Sequence, residues 1–131
     1  MAYPCLDELK YDDKGLIPAV VVDHETNEVL MVAYMNRDSL QATLEKGLTN
    51  FWSRSRQKFW TKGESSGHTQ EVQEIRTDCD KDTLVIKVKQ NGAACHLGYY
   101  SCFFRVIGKD GAVTDTGEKL FDPDEVYKDK K

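Results

Sequence analysis

The chain has 131 residues, 40% of them hydrophobic, with 18 basic and 22 acidic side chains and a net charge of −4, a composition suited to one globular domain rather than to a disordered, collagenous or membrane chain. No apolar run reaches the roughly 18–20 residues that a membrane helix needs, the first residues lack the basic-then-apolar order of a secretion signal, and the negative charge argues against general nucleic-acid binding. The cytoplasm is the expected compartment, and there the four cysteines read as metal ligands or reactive thiols rather than as disulfides.

In chain order, Ile17–Asp23 is β-branched and, after a polar stretch at 24–28, Val29–Met35 is apolar again, which predicts a hairpin. Asn36, Asp38 and Ser39 offer capping side chains, and Leu40, Thr43 and Leu44 followed by Gly47 predict a helix over 37–46. A strand is expected over 49–53. Residues 54–69 mix basic, aromatic, Gly and Ser side chains without a period and read as a functional loop. Alternation resumes at Gln70 through Val72 and Ile75, a clear strand covers 84–89 up to Asn91-Gly92, and another is expected over 99–107 before the turn Lys109-Asp110-Gly111. Helices are too few to supply parallel crossovers. The expected fold is therefore α+β, mainly antiparallel sheet with one or two short helices, a single domain over 1–131 with a frayed tail at 124–131.

The densest chemistry lies in Asp78-Cys79-Asp80-Lys81-Asp82, followed by Cys95-His96 and Cys102. If 78–82 is extended, the three carboxylates point to one side and Cys79 to the other. Oxygen ligands suit a hard cation such as Mg²⁺, and thiolates suit Zn²⁺. Cys79, Cys95 and Cys102 would make a three-thiolate zinc site with an open fourth position for water, the catalytic pattern rather than the structural one. His96, beside Cys95, is the first candidate to carry the proton, with His68 second. The spacing alone is equally compatible with packed thiols and a solvated acidic turn. Cys5 reads as an unremarkable thiol and His24 as a surface histidine.

A second constellation, from Trp52 to His68, interleaves cations, rings and hydroxyls. Arg54, Arg56 and Lys62 can bind phosphate, Trp52 or Trp60 can stack on a base, and Glu64 and Ser66 add polar contacts. The bland alternative makes the tryptophans core residues and the cations a solvated face.

Taken together, these stretches resemble the phosphoribosyl-AMP cyclohydrolase family, in the pattern W-x-x-S-R-x-x-x-W-x-K-G-E-x-S-G over 52–67, D-C-D-x-D over 78–82 and C-H-x-G-x-x-S-C over 95–102, with Met31-Val32-Ala33-Tyr34-Met35-Asn36 similar to its opening segment. The resemblance spans a motif core at 30–105. It implies hydrolytic opening of the adenine ring of phosphoribosyl-AMP between N1 and C6, a step of histidine biosynthesis in which a zinc-activated water attacks C6. It also implies that Cys79, Cys95 and Cys102 hold Zn²⁺, that Asp78, Asp80 and Asp82 hold Mg²⁺, and that two chains form an intertwined homodimer sharing zinc ligands. The short segment after the last motif predicts a cyclohydrolase without a fused partner enzyme. Two other readings stay open: a zinc-stabilised binding module without catalysis, and a zinc hydrolase of another purine nucleotide.

Overall fold

The computed structural model describes residues 3–117 and 119–120; the tail expected to fray lies outside them. A four-residue helix α1 (Cys5–Glu8), too short to leave a periodic signal in the sequence, buries Leu6. Strands β1 (Ile17–Asp23) and β2 (Val29–Met35) form the expected antiparallel hairpin, with Ile17 opposite Met35. Helix α2 (Arg37–Lys46) follows. The Asn36 side chain accepts the backbone N–H of Ser39 at 2.8 Å while the Ser39 hydroxyl receives that of Asn36 at 2.9 Å, a reciprocal cap that satisfies two orphan donors. Gly47 ends the helix at φ 73°, in the left-handed region that glycine enters without a steric penalty.

Beyond α2 come β3 (Asn50–Ser53), β4 (Lys58–Thr61), β5 (Gln70–Thr77) and β6 (Leu84–Gln90). Strand β4 lies inside the segment read as an irregular loop; four residues are too few to show a period, and the pairing of Phe51 with Trp60 and Trp52 with Phe59 decides its conformation. The strand expected over 99–107 is a second correction. Its first part folds back into a loop, with the Ala94 and Cys95 N–H groups bonded to the carbonyls of Tyr100 and Tyr99, and only β7 (Arg105–Ile107) is extended, paired with β8 (Val113–Asp115).

The main sheet has the order β4-β3-β2-β1-β6-β5, antiparallel throughout except that β1 and β6 run parallel. No helix bridges that pair directly; the chain reaches β6 through the whole β2-to-β5 excursion. The sheet curls until its far edge meets the α2–β3 link: Thr49 N–H bonds Gln70 O at 3.1 Å and Val72 N–H bonds Gly47 O at 2.8 Å. A buried polar seam marks this closure. Gln70, fully buried, takes a hydrogen bond from the Thr49 hydroxyl at 2.9 Å and donates to Gln90 at 2.7 Å, so its burial leaves no polar atom unpaired. Inside the curl lie Ile17, Val21, Leu30, Met35, Leu40, Phe51, Leu84, Ile86 and Val88. At about 25 cal/mol per Å² of apolar surface removed from water, this core supplies the main driving force for folding.

Candidate active site

The acidic triplet sits in the link between β5 and β6. It is not extended, as the sequence reading supposed. Lys81 adopts φ 62°, and the Asp78 carboxylate accepts the backbone N–H groups of Asp82 and Thr83 at 3.1 and 3.3 Å, closing a tight turn. The turn still gathers Asp78, Asp80 and Asp82, whose carboxylate oxygens lie within 4.8 Å of one another on the surface. Crowding shows in their acidities. The hydrogen bonds and charges of Asp78 and Asp80 push Asp82 above its ordinary value; for Asp78 desolvation is the largest single influence and acts to raise it, but the backbone and side-chain hydrogen bonds together outweigh it and hold the group below its ordinary value. Such a set of oxygens could hold a hard divalent cation.

Cys95 and Cys102 are brought together by the loop that breaks the expected long strand. Gly98 N–H bonds Cys95 O at 3.0 Å, and the Cys95 sulfur, on a 6% exposed residue, accepts the Leu97 N–H at 3.4 Å. Cys102 is exposed as a residue, yet its sulfur is tucked beside Cys95. That packing, with a second thiol alongside, pushes the Cys102 thiol up to about 11. Two adjacent sulfurs, one receiving a backbone N–H, are a donor set that suits a thiophilic metal. Cys79 is exposed in the acidic turn, and among the described residues it does not join the other two in a group of three within ligand distance. One chain thus assembles two of the three sulfurs that the sequence grouped.

The basic-aromatic segment is divided by the fold. Trp52 and Arg54 line a cavity of about 380 Å³ together with Lys14, Leu16, Asn36 and Gln57, a volume within the range of small-molecule sites. The Arg54 guanidinium lies 4.0 Å from the centroid of the Tyr34 ring. Lys14 escaped the sequence reading because nothing in its spacing ties it to the motif; Asn36 and Gln57 lie within the quoted stretches, but only the fold turns them to this cavity. Lys14 is carried there by a turn in which the Asp12 carboxylate accepts the Lys14 and Leu16 N–H groups, both at 2.9 Å. Trp60 turns inward, its ring 5.1 Å from that of Phe51, against the core. Arg56 and Glu64 are exposed, and the Ser66 hydroxyl accepts the His68 N–H at 3.2 Å.

Lys62 also turns inward. Its ammonium donates to the Ala94 carbonyl at 2.6 Å, next to Cys95; burial pulls its pKa below the ordinary lysine value against the opposing influence of Cys102 and Cys95. His96 is exposed on the turn that follows Cys95. His68 is half-buried with its ring laid on Gly92, where an added Cβ would meet ring carbons at 2.6 and 2.9 Å. His24 is partly exposed, 3.4 Å from Glu25, and Cys5 is exposed in α1. Among the described residues no helix is long and apolar enough to cross a membrane.

A family model described as phosphoribosyl-AMP cyclohydrolase matches residues 31–104. Three similar proteins carry that same name. That of Pelotomaculum thermopropionicum is 60% identical over 122 residues, covering 93% of this chain and 95% of its own. That of Salinibacter ruber is 57% identical over 127 residues, covering 97% and 99%, and that of Methanosarcina barkeri is 60% identical over 122 residues, covering 93% and 91%. With the cysteine pair, the acidic turn and the basic-aromatic segment all falling in or across the matched stretch, this chain belongs to the phosphoribosyl-AMP cyclohydrolase family of hydrolases.

Proposed function

We propose that this protein hydrolyses the N1–C6 bond of the adenine ring in phosphoribosyl-AMP, as a metal-dependent enzyme of histidine biosynthesis in the cytoplasm, where its thiols stay reduced. The observation that carries this reading is the pairing of Cys95 with Cys102 in a chain of this family. Water adds at C6, the C6–N1 bond breaks, the water oxygen becomes the carboxamide oxygen, and a proton passes to N1 on the departing amidine. Cys95 and Cys102 of one chain, with Cys79 of a second copy, would hold Zn²⁺, and Asp78, Asp80 and Asp82 would hold Mg²⁺. When bound, zinc supplies the acidity that makes water a nucleophile near neutral pH.

The protein's own groups do the rest. The cavity walls offer Trp52 for stacking and Lys14 and Arg54 as cations for one of the substrate's phosphates, with Arg56 nearby in the chain as a cation for the second. His96, next to Cys95, carries the proton between water and leaving nitrogen; His68, fixed against Gly92, is the second candidate. Sharing of the zinc ligands between two chains accounts for the separation of Cys79 from the other sulfurs and for its exposure.

The test is elemental analysis of the purified protein followed by absorbance-monitored turnover of phosphoribosyl-AMP before and after chelation. About one zinc per chain is expected, with turnover lost on chelation, restored by zinc plus magnesium, and abolished in Cys95→Ser. Zinc without turnover would point to a binding module or to another purine nucleotide. Full activity of Cys95→Ser would end the zinc mechanism.

A further inference from the structure

This inference rests on the proposed cysteine-bound zinc. We infer that Lys62 is a positioning residue of the cysteine half-site, its ammonium held against the Ala94 carbonyl so that it balances the negative charge of the metal-binding thiolates, and that it is not a phosphate ligand.

The backbone that carries Lys62 is fixed on both sides. Its N–H bonds Thr49 O at 3.1 Å, and the following turn is closed by Glu64 N–H on Thr61 O at 3.2 Å. Gly63, at φ 80°, packs so tightly on the His68 carbonyl that an added Cβ would lie 2.4–2.5 Å from it, so the turn has no room to shift. From there the side chain crosses the sheet end to Ala94, 1% exposed, and its Nζ donates at 2.6 Å to the carbonyl that precedes Cys95. The same Nζ lies 5.8 Å from the centroid of the Trp60 ring.

An inward-facing ammonium has three donors and a full charge, and one neutral carbonyl satisfies only one donor. Burying such a charge is unfavourable unless an opposite charge is supplied. Among the described residues no carboxylate lies within ion-pair distance of Lys62; the acidic groups that face it are the thiols of Cys95 and Cys102. Three thiolates around a dication leave one net negative charge, which a single ammonium cancels. The arrangement therefore gains its missing counter-charge when a metal binds, and the ammonium in turn withdraws negative charge from a site whose three thiolates would otherwise weaken the metal as a Lewis acid. A lysine that served a phosphate beside Lys14 and Arg54 would instead end in their cavity, which Lys62 does not line.

Zinc affinity should be measured by competition with a chromophoric chelator, alongside the thiolate-to-metal absorption of the cobalt-loaded protein and the KM and kcat of turnover. In Lys62→Gln, which keeps a donor for the Ala94 carbonyl but no charge, zinc affinity is expected to fall ~10–100-fold, with kcat falling and KM little changed; Lys62→Arg should recover most of the affinity. Should Lys62→Gln not fold, Lys62→Met removes the charge without burying an amide and carries the same expectation. Wild-type zinc affinity in the uncharged variants, or a rise confined to KM, overturns the inference and leaves the zinc reading intact. Wild-type protein that binds no zinc overturns both.

Discussion

Two glycines hold His68 where it is. Gly63 receives its backbone at a distance that excludes a Cβ, and Gly92, at φ 82°, forms the seat on which the imidazole lies. Gly92→Ala adds both left-handed strain and a clash with the ring, whereas Gly111→Ala, at φ 86° with nothing within 4 Å, adds the strain alone. If the His68 ring serves the reaction, Gly92→Ala should lower kcat by ~10–100-fold, about 1.4–2.7 kcal/mol in the barrier, while Gly111→Ala leaves it near wild type. In a His68→Ala background the Gly92 substitution should cost no further activity, because the ring it displaces is gone. Equal losses in the two glycine variants would reduce Gly92 to a turn residue. At this scale the sequence was informative about residue type: Cys95, Cys102 and the three aspartates stood out there as candidate ligands by their donor atoms, while their spacing fitted packed thiols and a solvated acidic turn equally well. It was silent on direction. Lys62 and Trp60 sit in the same motif as Arg54, and only the packing turns them inward.

The cysteine loop is the element on which the proposed site depends, and it is pinned to the central hairpin at several points. Cys102 N–H bonds Leu30 O at 2.7 Å, and the Ser101 hydroxyl bonds Val29 O at 2.6 Å. The Tyr100 hydroxyl donates to the Asp23 carboxylate at the end of β1. Burial of Asp23 acts to raise its pKa, but the Tyr100 hydroxyl and the N–H groups of Glu25 and Thr26 outweigh it and hold the group below the ordinary value of 3.8. A depressed carboxylate stabilises the fold fully above its unfolded value and loses that contribution as pH falls through the lower folded one. Tyr100→Phe should therefore cost about 1 kcal/mol at neutral pH, a charged hydrogen bond discounted for its partial exposure, and progressively less on acidification below the ordinary carboxylate value. Urea unfolding at neutral and strongly acidic pH measures this; an equal loss at both would mean that the bond does not depend on the carboxylate charge. The sequence read this segment as one strand because its β-branched and aromatic content fits one. Non-local hydrogen bonds to β2 and the turn at Gly98 override that local preference.

At the scale of the molecule, β7 and β8 stand out from the sheet. All six of their residues are exposed, among them Val106, Ile107 at 74% and Val113 at 58%, held by pairing and by an Arg105–Asp115 contact at 3.5 Å. An isolated two-stranded hairpin is marginal in water, and exposed β-branched residues on it favour burial against something else. In the proposed homodimer that partner is a second copy. Ile107→Asp is expected to shift the protein toward monomer in sedimentation analysis and to reduce bound zinc and turnover together, since in the proposed site the third sulfur would come from the other chain. A stable dimer with full zinc in that variant would place the interface elsewhere.

The sequence by itself determined the residue chemistry, the β1–β2 hairpin, helix α2 with its caps, the strand at β6 and the family, because each rests on local propensity or on a contiguous motif. The tertiary structure alone decided which of those residues meet. The curl that joins the β5 edge to the α2–β3 link, the parallel β1–β6 pairing, the recruitment of Lys14 to the Trp52–Arg54 cavity and the separation of Cys79 from Cys95 and Cys102 all depend on contacts between distant parts of the chain. Such contacts leave no period or spacing in the sequence. They are selected by how apolar faces are buried and buried polar groups are paired once the whole sheet has formed.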